Sequence, residues 1–192
     1  MTLLIIFINV IIFLLMVFSG VDIINPSAES IHYFGGNFGP SISSGEYWRL
    51  LAANYIHIGI IHLFFNMWCL YAIGMELEAL VGRSRFIVLY TCSGLAGSLA
   101  SYYFNYNAIG AGASGAIFGI AGAFTLFTLL NNGKNGISYF SATHNPMIIF
   151  IFYNIIYGFI IPGIDNAAHL GGLIMGIFSG ILLVNNKFLH LN

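Results

Sequence analysis

Charged residues are scarce in this chain of 192 residues, which has five Lys and Arg, six Asp and Glu, and a charged fraction of 6%. Soluble globular domains carry about 25% charged residues. So few charges cannot cover the surface of a folded protein of this size in water, which excludes a water-soluble enzyme. A nucleic-acid-binding protein is excluded too, because it needs a cluster of basic residues on one face.

The sequence also lacks the residue patterns of a cysteine-based site, of a zinc protease and of a membrane aspartyl protease. Cys69 and Cys92 stand inside apolar runs, which indicates small buried packing residues and not a disulfide or a metal site. The sequence has no His-Glu-x-x-His motif, which excludes a zinc protease of that type. No Asp or Glu stands in the middle of an apolar segment, which excludes an aspartyl protease that works at membrane depth.

Hydrophobic residues are abundant, at 59% of the chain, and the mean hydropathy is +0.91. A helix that crosses a bilayer needs about 20 mostly apolar residues. Six segments fit, at roughly 3–19, 55–75, 84–104, 112–130, 146–162 and 166–184. The first has no basic residue before it and no small-residue cleavage site after it, so we expect a retained span and not a signal peptide. We predict an all-α polytopic membrane protein, one domain over residues 1–192, with a long first external loop at 20–54.

The distribution of basic residues predicts the orientation of these segments. Six spans put both termini on one side of the membrane, and the connections on that side carry Arg83, Arg85, Lys134 and Lys187. The other side has only Arg49. Because basic residues favour the cytoplasmic side, we expect cytoplasmic termini and an external 20–54 loop.

Polar residues at membrane depth are expensive and are by default functional. The second segment contains His57, His62 and Asn66. His62 and Asn66 are four residues apart and share a helix face, whereas His57 is expected about 140° around the helix from His62. We interpret the His62–Asn66 pair as functional and His57 as a structural residue that hydrogen-bonds a neighbouring helix.

Two glycine rows predict a close contact between the fourth and sixth segments. Gly112, Gly115, Gly119 and Gly122 form one row, beside Ser114; Gly172, Gly176 and Gly180 extend a second row that begins at His169. Small residues let helix backbones approach closely. Such packing would bring Ser114 within hydrogen-bonding reach of His169.

A serine hydroxyl becomes a nucleophile when an adjacent base accepts its proton, and the resulting oxyanion needs hydrogen-bond donors. Ser114 and His169 fit the first two roles, and His62 with Asn66 fits the third. By helix rise, all four fall in the outer half of the membrane, where they would share one water-accessible cavity. Asp165 lies at a helix start, four residues before His169, so we predict a Ser–His dyad without a third carboxylate.

The chain resembles the rhomboid family of intramembrane serine proteases. The resemblance rests on Trp48-Arg49 in the first loop and on His-x-x-x-x-His-x-x-x-Asn at His57, His62 and Asn66. It continues with Glu-x-x-x-Gly-x-x-x-Phe-x-x-x-Tyr from Glu78 to Tyr90, GASG at 112–115 and DNAAHLGGLIMG at 165–176. Together these motifs span about residues 46–180.

The resemblance implies Ser114 as nucleophile and His169 as general base, with an oxyanion hole formed by Asn66, His62 and the Ser114 backbone N–H. It further implies supporting positions around the dyad, namely Gly112, Gly115, Phe118, Gly172 and Gly176. Phe118 stands where the family often has a tyrosine that supports the base, and it can still stack on His169. The remaining residues, Trp48, Arg49, His57 and Glu78, would be structural. No cofactor and no metal is implied.

The substrates implied are single-span membrane proteins whose helix carries small or helix-breaking residues, because a stable helix cannot be cut until it unwinds. Phe65 and the aromatic residues at 150–157 are candidates for a lateral gate. We expect the minimal six-helix form, in a bacterial inner membrane. The alternatives are a catalytically silent relative that binds and escorts membrane proteins, which would generally lack the serine or the histidine, and a small transporter or channel. A transporter usually has broken helices and midplane charges in related halves, which are absent from this sequence.

Overall fold

The chain folds into a bundle of long helices, with short elements between the first and the second of them. The computed structural model describes residues 1–130 and 146–188, except for the side chains of 146 and 183–188. The helices are α1 (Thr2–Phe18), α2 (Ala28–Tyr33), α3 (Gly39–Ser43), α4 (Arg49–Ala52), α5 (Ile60–Val81), α6 (Arg83–Phe104), α7 (Ser114–Leu130), α8 (Pro146–Ile160) and α9 (Asn166–Phe188). A 3₁₀ turn covers Ala53–Tyr55, and β1 (Asn37–Phe38) pairs antiparallel with β2 (Ile109–Gly110). The predicted all-α fold is confirmed, with this two-residue pairing as an addition.

Helices α6, α7 and α9 form the centre of the bundle, with α1 and α5 packed on one side. The apolar core contains residues such as Leu70, Leu77, Phe86 and Ile120, each fully buried. α6 is less apolar than the other long helices because it faces its neighbours with small residues, its buried serines being Ser93, Ser98 and Ser101. α8 packs more sparsely, against α7 and α9.

The start of α5 corrects the sequence prediction. The second segment was expected to be helical from residue 55, but residues 56–59 are not helical and α5 begins at Ile60. Gly59 has φ +83° and its backbone lies against the Ile24 carbonyl, where a side chain would not fit. His57 is therefore not on a helix, and the expected 140° separation from His62 is wrong: the two rings lie 5.2 Å apart.

The 20–54 connection is an organised structure. Arg49 is buried and donates from Nη1 to the carbonyls of His32 (2.6 Å) and Gly36 (3.2 Å), and from Nε to Glu46 (2.6 Å). Its guanidinium also stacks over the Trp48 ring at 4.8 Å. The β1–β2 pairing and a bond from Asn37 Nδ2 to the Ser98 carbonyl (2.8 Å) join this connection to the segment that leads into α7.

The opposite end of the bundle is held by Glu78. Its carboxylate accepts hydrogen bonds from the Thr2 backbone N–H (2.7 Å) and the Thr2 hydroxyl (2.8 Å), which joins the start of α1 to α5. The basic residues used to predict orientation include Lys134, which lies outside the described residues, as does the side chain of Lys187. Arg83 is exposed near Glu78, with 3.9 Å between Nε and Oε1.

The outer faces of the bundle are apolar. Phe7, Phe64, Trp68 and Phe178 are all more than half exposed. Among the described residues, Ile60–Val81 is by itself long and apolar enough to cross a bilayer. Four further apolar helices are shorter, at Thr2–Phe18, Ser114–Leu130, Met147–Ile160 and Asn166–Leu182.

Candidate active site

Ser114 and His169 meet because α7 and α9 pack backbone to backbone. An added Cβ at Gly172 would overlap the Gly115 carbonyl, and one at Gly176 would overlap the Gly119 carbonyl. The predicted packing of the two glycine rows is thus confirmed. One turn before Gly172, His169 Nε2 lies 3.0 Å from Ser114 Oγ, at hydrogen-bonding distance.

His169 is held in a fixed orientation by an aromatic contact. The ring of Phe118 stacks on the imidazole with centroids 4.3 Å apart and planes within 8° of parallel. His169 is 8% exposed, and within the described part of the chain its Nδ1 has no hydrogen-bond partner. Stacking and helix packing therefore orient this ring where a serine-protease triad would use a carboxylate.

Asp165 makes no hydrogen bond to His169 Nδ1. Its Oδ1 accepts hydrogen bonds from Asn105 Nδ2 (2.6 Å) and from the Ala168 backbone N–H (2.9 Å). This carboxylate therefore anchors the first turn of α9 to the end of α6. Among the described residues, Ser114 and His169 therefore meet without a carboxylate on His169 Nδ1, and a catalytic dyad stays a prediction.

Three hydrogen-bond donors surround the space beside Ser114. The Ile58 N–H donates to His62 Nδ1 (3.2 Å), so the proton of a neutral His62 ring is on Nε2. Asn66 Nδ2 donates one N–H to the His62 carbonyl (2.9 Å), and its other N–H has no partner among the described residues. Ser114 is the first residue of α7, so its backbone N–H lies outside the helical hydrogen bonds.

The corrected start of α5 places His62 and Asn66 nearer to the helix end than the sequence suggested. They are the third and seventh residues of α5, about 3 and 9 Å along its axis. A helix that began at residue 55, as the sequence predicted, would place them about 10 and 16 Å along its axis. His62 lies against Gly112, where an added Cβ would stand 2.9 Å from Nε2, so the lack of a side chain leaves room for the ring. The φ of +134° at Gly112 is a second reason for glycine at this position.

His57 packs against His62. It is fully buried, and its ring lies 5.2 Å from that of His62. Neither of its ring nitrogens has a hydrogen-bond partner among the described side chains and backbone. The contact is one of packing, so the hydrogen bond to a neighbouring helix that the sequence predicted for His57 is not found among the described residues.

All four polar residues of the predicted site line one cavity of about 660 Å³: His62, Asn66, Ser114 and His169. Phe65, Phe150 and Tyr157 form part of its apolar wall. A second, polar cavity of about 30 Å³ lies beside Ser114, between Asn54, Ser98 and Ser101. In the described ranges, no three His, Cys, Asp or Glu side chains are arranged to hold a metal.

The Rhomboid domain family model matches residues 44–186, which include every residue of this site. The chain belongs to the rhomboid family. Rhomboid protease GluP of Bacillus subtilis (strain 168) is 40% identical over 158 residues, which cover 82% of this chain and 30% of that protein. YdcA of the same strain is 34% identical over 155 residues, 80% of this chain and 74% of that protein. RHOMBOID-like protein 5 of Arabidopsis thaliana is 36% identical over 178 residues, 88% of this chain and 55% of that protein.

The rhomboid family consists of integral membrane proteins and includes intramembrane serine proteases that act on transmembrane substrates. This rhomboid is therefore an integral membrane protein. The chain spans 30% of the length of GluP and 55% of that of the plant relative.

Sequence reasoning missed two residues at the site. Asn105, at the end of α6, fixes Asp165, and Asn154 on α8 lines the cavity. Asn105 and Asp165 are sixty residues apart, so no local spacing connects them. Asn154 could have been predicted as a site residue, because it is a polar residue within an apolar segment.

Proposed function

We propose that this rhomboid is an intramembrane serine endopeptidase with a Ser114–His169 dyad. The observation that carries the proposal is the 3.0 Å contact between Ser114 Oγ and His169 Nε2 at the wall of a cavity lined by hydrogen-bond donors. Ser114 attacks the carbonyl carbon of the scissile peptide bond while His169 Nε2 accepts the hydroxyl proton. His169 then protonates the leaving amine, and an acyl-enzyme forms on Ser114.

The oxyanion formed in this step is stabilised by the Ser114 backbone N–H, the free N–H of Asn66 and Nε2–H of His62. These donors are in place before the reaction, so they stabilise the transition state without reorganisation. Water, activated by His169, then hydrolyses the acyl-enzyme. The small polar cavity beside Ser114 has room for such a water molecule at about 30 Å³.

The proposed substrates are single-span membrane proteins whose helix unwinds near the cleaved bond. Backbone carbonyls inside an intact helix are hydrogen-bonded and hidden from a nucleophile. The substrate enters sideways between α5 and α8, where Phe65 and Phe150 line the cavity wall. The sparse packing of α8 supports this route.

The proposed topology has six membrane spans, both termini in the cytoplasm and the active site open to the outside. The exposed Arg83 and Arg85, at the start of α6, support this orientation through the preference of basic residues for the cytoplasmic side. The proposed location is a bacterial inner membrane, which fits the Bacillus subtilis relatives.

The test is cleavage of a fluorescent single-span substrate by the purified protein in detergent, with and without a metal chelator. Wild type should cleave in both conditions, Ser114→Ala and His169→Ala should not, and Ser44→Ala, which removes an exposed serine outside the cavity, should match wild type. If wild type binds but does not cut a panel of helix-destabilised substrates, the escort role replaces the protease. Activity that survives in Ser114→Ala would identify a different nucleophile.

A further inference from the structure

The catalytic cavity carries one fixed negative charge that the proposed reaction does not use. Among the described residues that line the cavity, Asp165 is the only Asp or Glu, and none is Lys or Arg. Asp165 has no ion-pair partner in residues 1–130 and 146–182. The cavity therefore presents an unbalanced carboxylate to whatever enters it.

Among the described residues, only one of the two oxygens of the Asp165 carboxylate accepts hydrogen bonds. Oδ1 accepts two hydrogen bonds, from Asn105 and from the Ala168 N–H, which fix the side chain between two helices. Oδ2 accepts none from the described residues and lies near Gly110, where an added Cβ would stand 3.3 Å away. An ionised oxygen with free acceptor capacity forms its strongest hydrogen bonds with a cationic donor.

The distance from Asp165 to His169 indicates which residue of the substrate could reach Asp165. Asp165 directly precedes α9, and its carbonyl accepts the His169 N–H, so the separation of four residues corresponds to a rise of about 6 Å. An extended peptide advances about 3.3 Å per residue. A substrate side chain that reaches Asp165 therefore belongs to a residue about two or three positions from the cleaved bond.

We propose that Asp165 forms a charge-selective subsite that binds a Lys or Arg side chain of the substrate segment. The proposal rests on the proposed protease function and deepens it: the enzyme selects substrates with a basic residue near the scissile bond. The basic side chain enters with the unwound segment, and its cationic end pairs with Oδ2 at the wall of the cavity.

The test compares two fluorescent single-span substrates that differ at one position, Lys in one and norleucine, which has the same four side-chain carbons without the ammonium group, in the other. The position is varied over about three residues on each side of the cleaved bond. Affinities are measured on Ser114→Ala protein in detergent, so that cleavage does not complicate binding. Asp165→Asn is the test variant, because the amide oxygen still accepts from Ala168. Asp22→Asn is the matched control, because it removes an exposed carboxylate of the 20–54 connection that lies outside the cavity. Asp22 also accepts backbone hydrogen bonds, from the N–H groups of Asn25 and Ile24, which lower its pKa.

At one substrate position, we expect Lys to bind about tenfold more tightly than norleucine, equivalent to about 1.4 kcal/mol. Asp165→Asn should remove this preference without changing the affinity for the norleucine substrate, and Asp22→Asn should preserve it. A Lys preference that is unchanged in Asp165→Asn, or absent at every position in the Ser114→Ala parent, overturns the subsite. The cleavage of both substrates by wild type is a separate arm: no cleavage there overturns the protease function, while the affinity ratio still decides the subsite.

Discussion

Replacing Gly172 with alanine should separate the nucleophile from its base without altering either residue. An added Cβ at this position would overlap the Gly115 carbonyl oxygen and lie 2.6 Å from the carbonyl carbon. Carbon atoms in good contact are about 3.5–4.0 Å apart. The obstacle is backbone on both sides, so no rotamer change relieves it, and α7 must move away from α9 by about 1 Å.

The size of this shift sets the expected loss of activity. The Ser114–His169 contact is 3.0 Å, so about 1 Å of added separation takes it beyond hydrogen-bonding range. A misplacement of about 1 Å costs about 100-fold, and here it acts by removing general-base catalysis, so the two losses are one effect. We therefore expect the kcat of Gly172→Ala to be about 100-fold below that of wild type, while the overpacking lowers the free energy of unfolding by about 1–3 kcal/mol.

The assay is steady-state cleavage of the fluorescent substrate, together with thermal unfolding of each variant in detergent. Gly180→Ala is the matched control in the same helix, because its nearest neighbour, the Ala123 Cα, lies 3.1 Å from the added Cβ and needs to move by only a few tenths of an ångström. Gly176→Ala should resemble Gly172→Ala. A kcat for Gly172→Ala within about threefold of that of Gly180→Ala would refute the argument that backbone contact sets the dyad geometry.

Substitutions at three further positions test the orientation of His169, the oxyanion hole and the packing of the 20–54 connection. Phe118→Ala removes the ring stacked on His169 and should lower kcat about tenfold, whereas Phe118→Tyr should retain most of it; equal kcat values for the two variants would contradict an orienting role. Asn66→Ala removes an oxyanion donor and should lower kcat about 100-fold with little change in KM, as measured over a full substrate titration. Arg49→Ala leaves the carbonyls of His32 and Gly36 without their donor and should lower the free energy of unfolding by about 2–4 kcal/mol; a melting temperature equal to that of wild type would contradict this.

Regular spacing made the contact between the two glycine-rich helices predictable. Gly115 and Gly119 on α7 repeat every four residues, as do Gly172 and Gly176 on α9, and close packing is the one arrangement that buries both rows. The meeting of Ser114 and His169 follows from that register. Because the helix period fixes which residues share a face along the whole helix, this part of the site could be predicted from the sequence.

The start of α5 could not be read in the same way. Tyr55, Ile56 and Ile58 are as apolar as the residues of the helix, so hydrophobicity does not separate them from it. The helix begins where Ile60 N–H bonds to the Ile23 carbonyl (2.8 Å), a contact made by the preceding connection. The conformation of that connection and the Asn105–Asp165 hydrogen bond also depend on residues that are distant in the chain. Hydrophobic periodicity carries no information about such contacts.

Covalent labelling of Ser114 tests the central claim most directly. A fluorophosphonate probe reacts with a serine whose hydroxyl is activated by a base: the Oγ–P bond forms as fluoride leaves, and the serine proton passes to the base. We expect one adduct per chain, located at Ser114 by mass spectrometry of the wild-type protein, and none in His169→Ala. Labelling at another serine, or equal labelling of Ser114 in His169→Ala, would contradict the dyad.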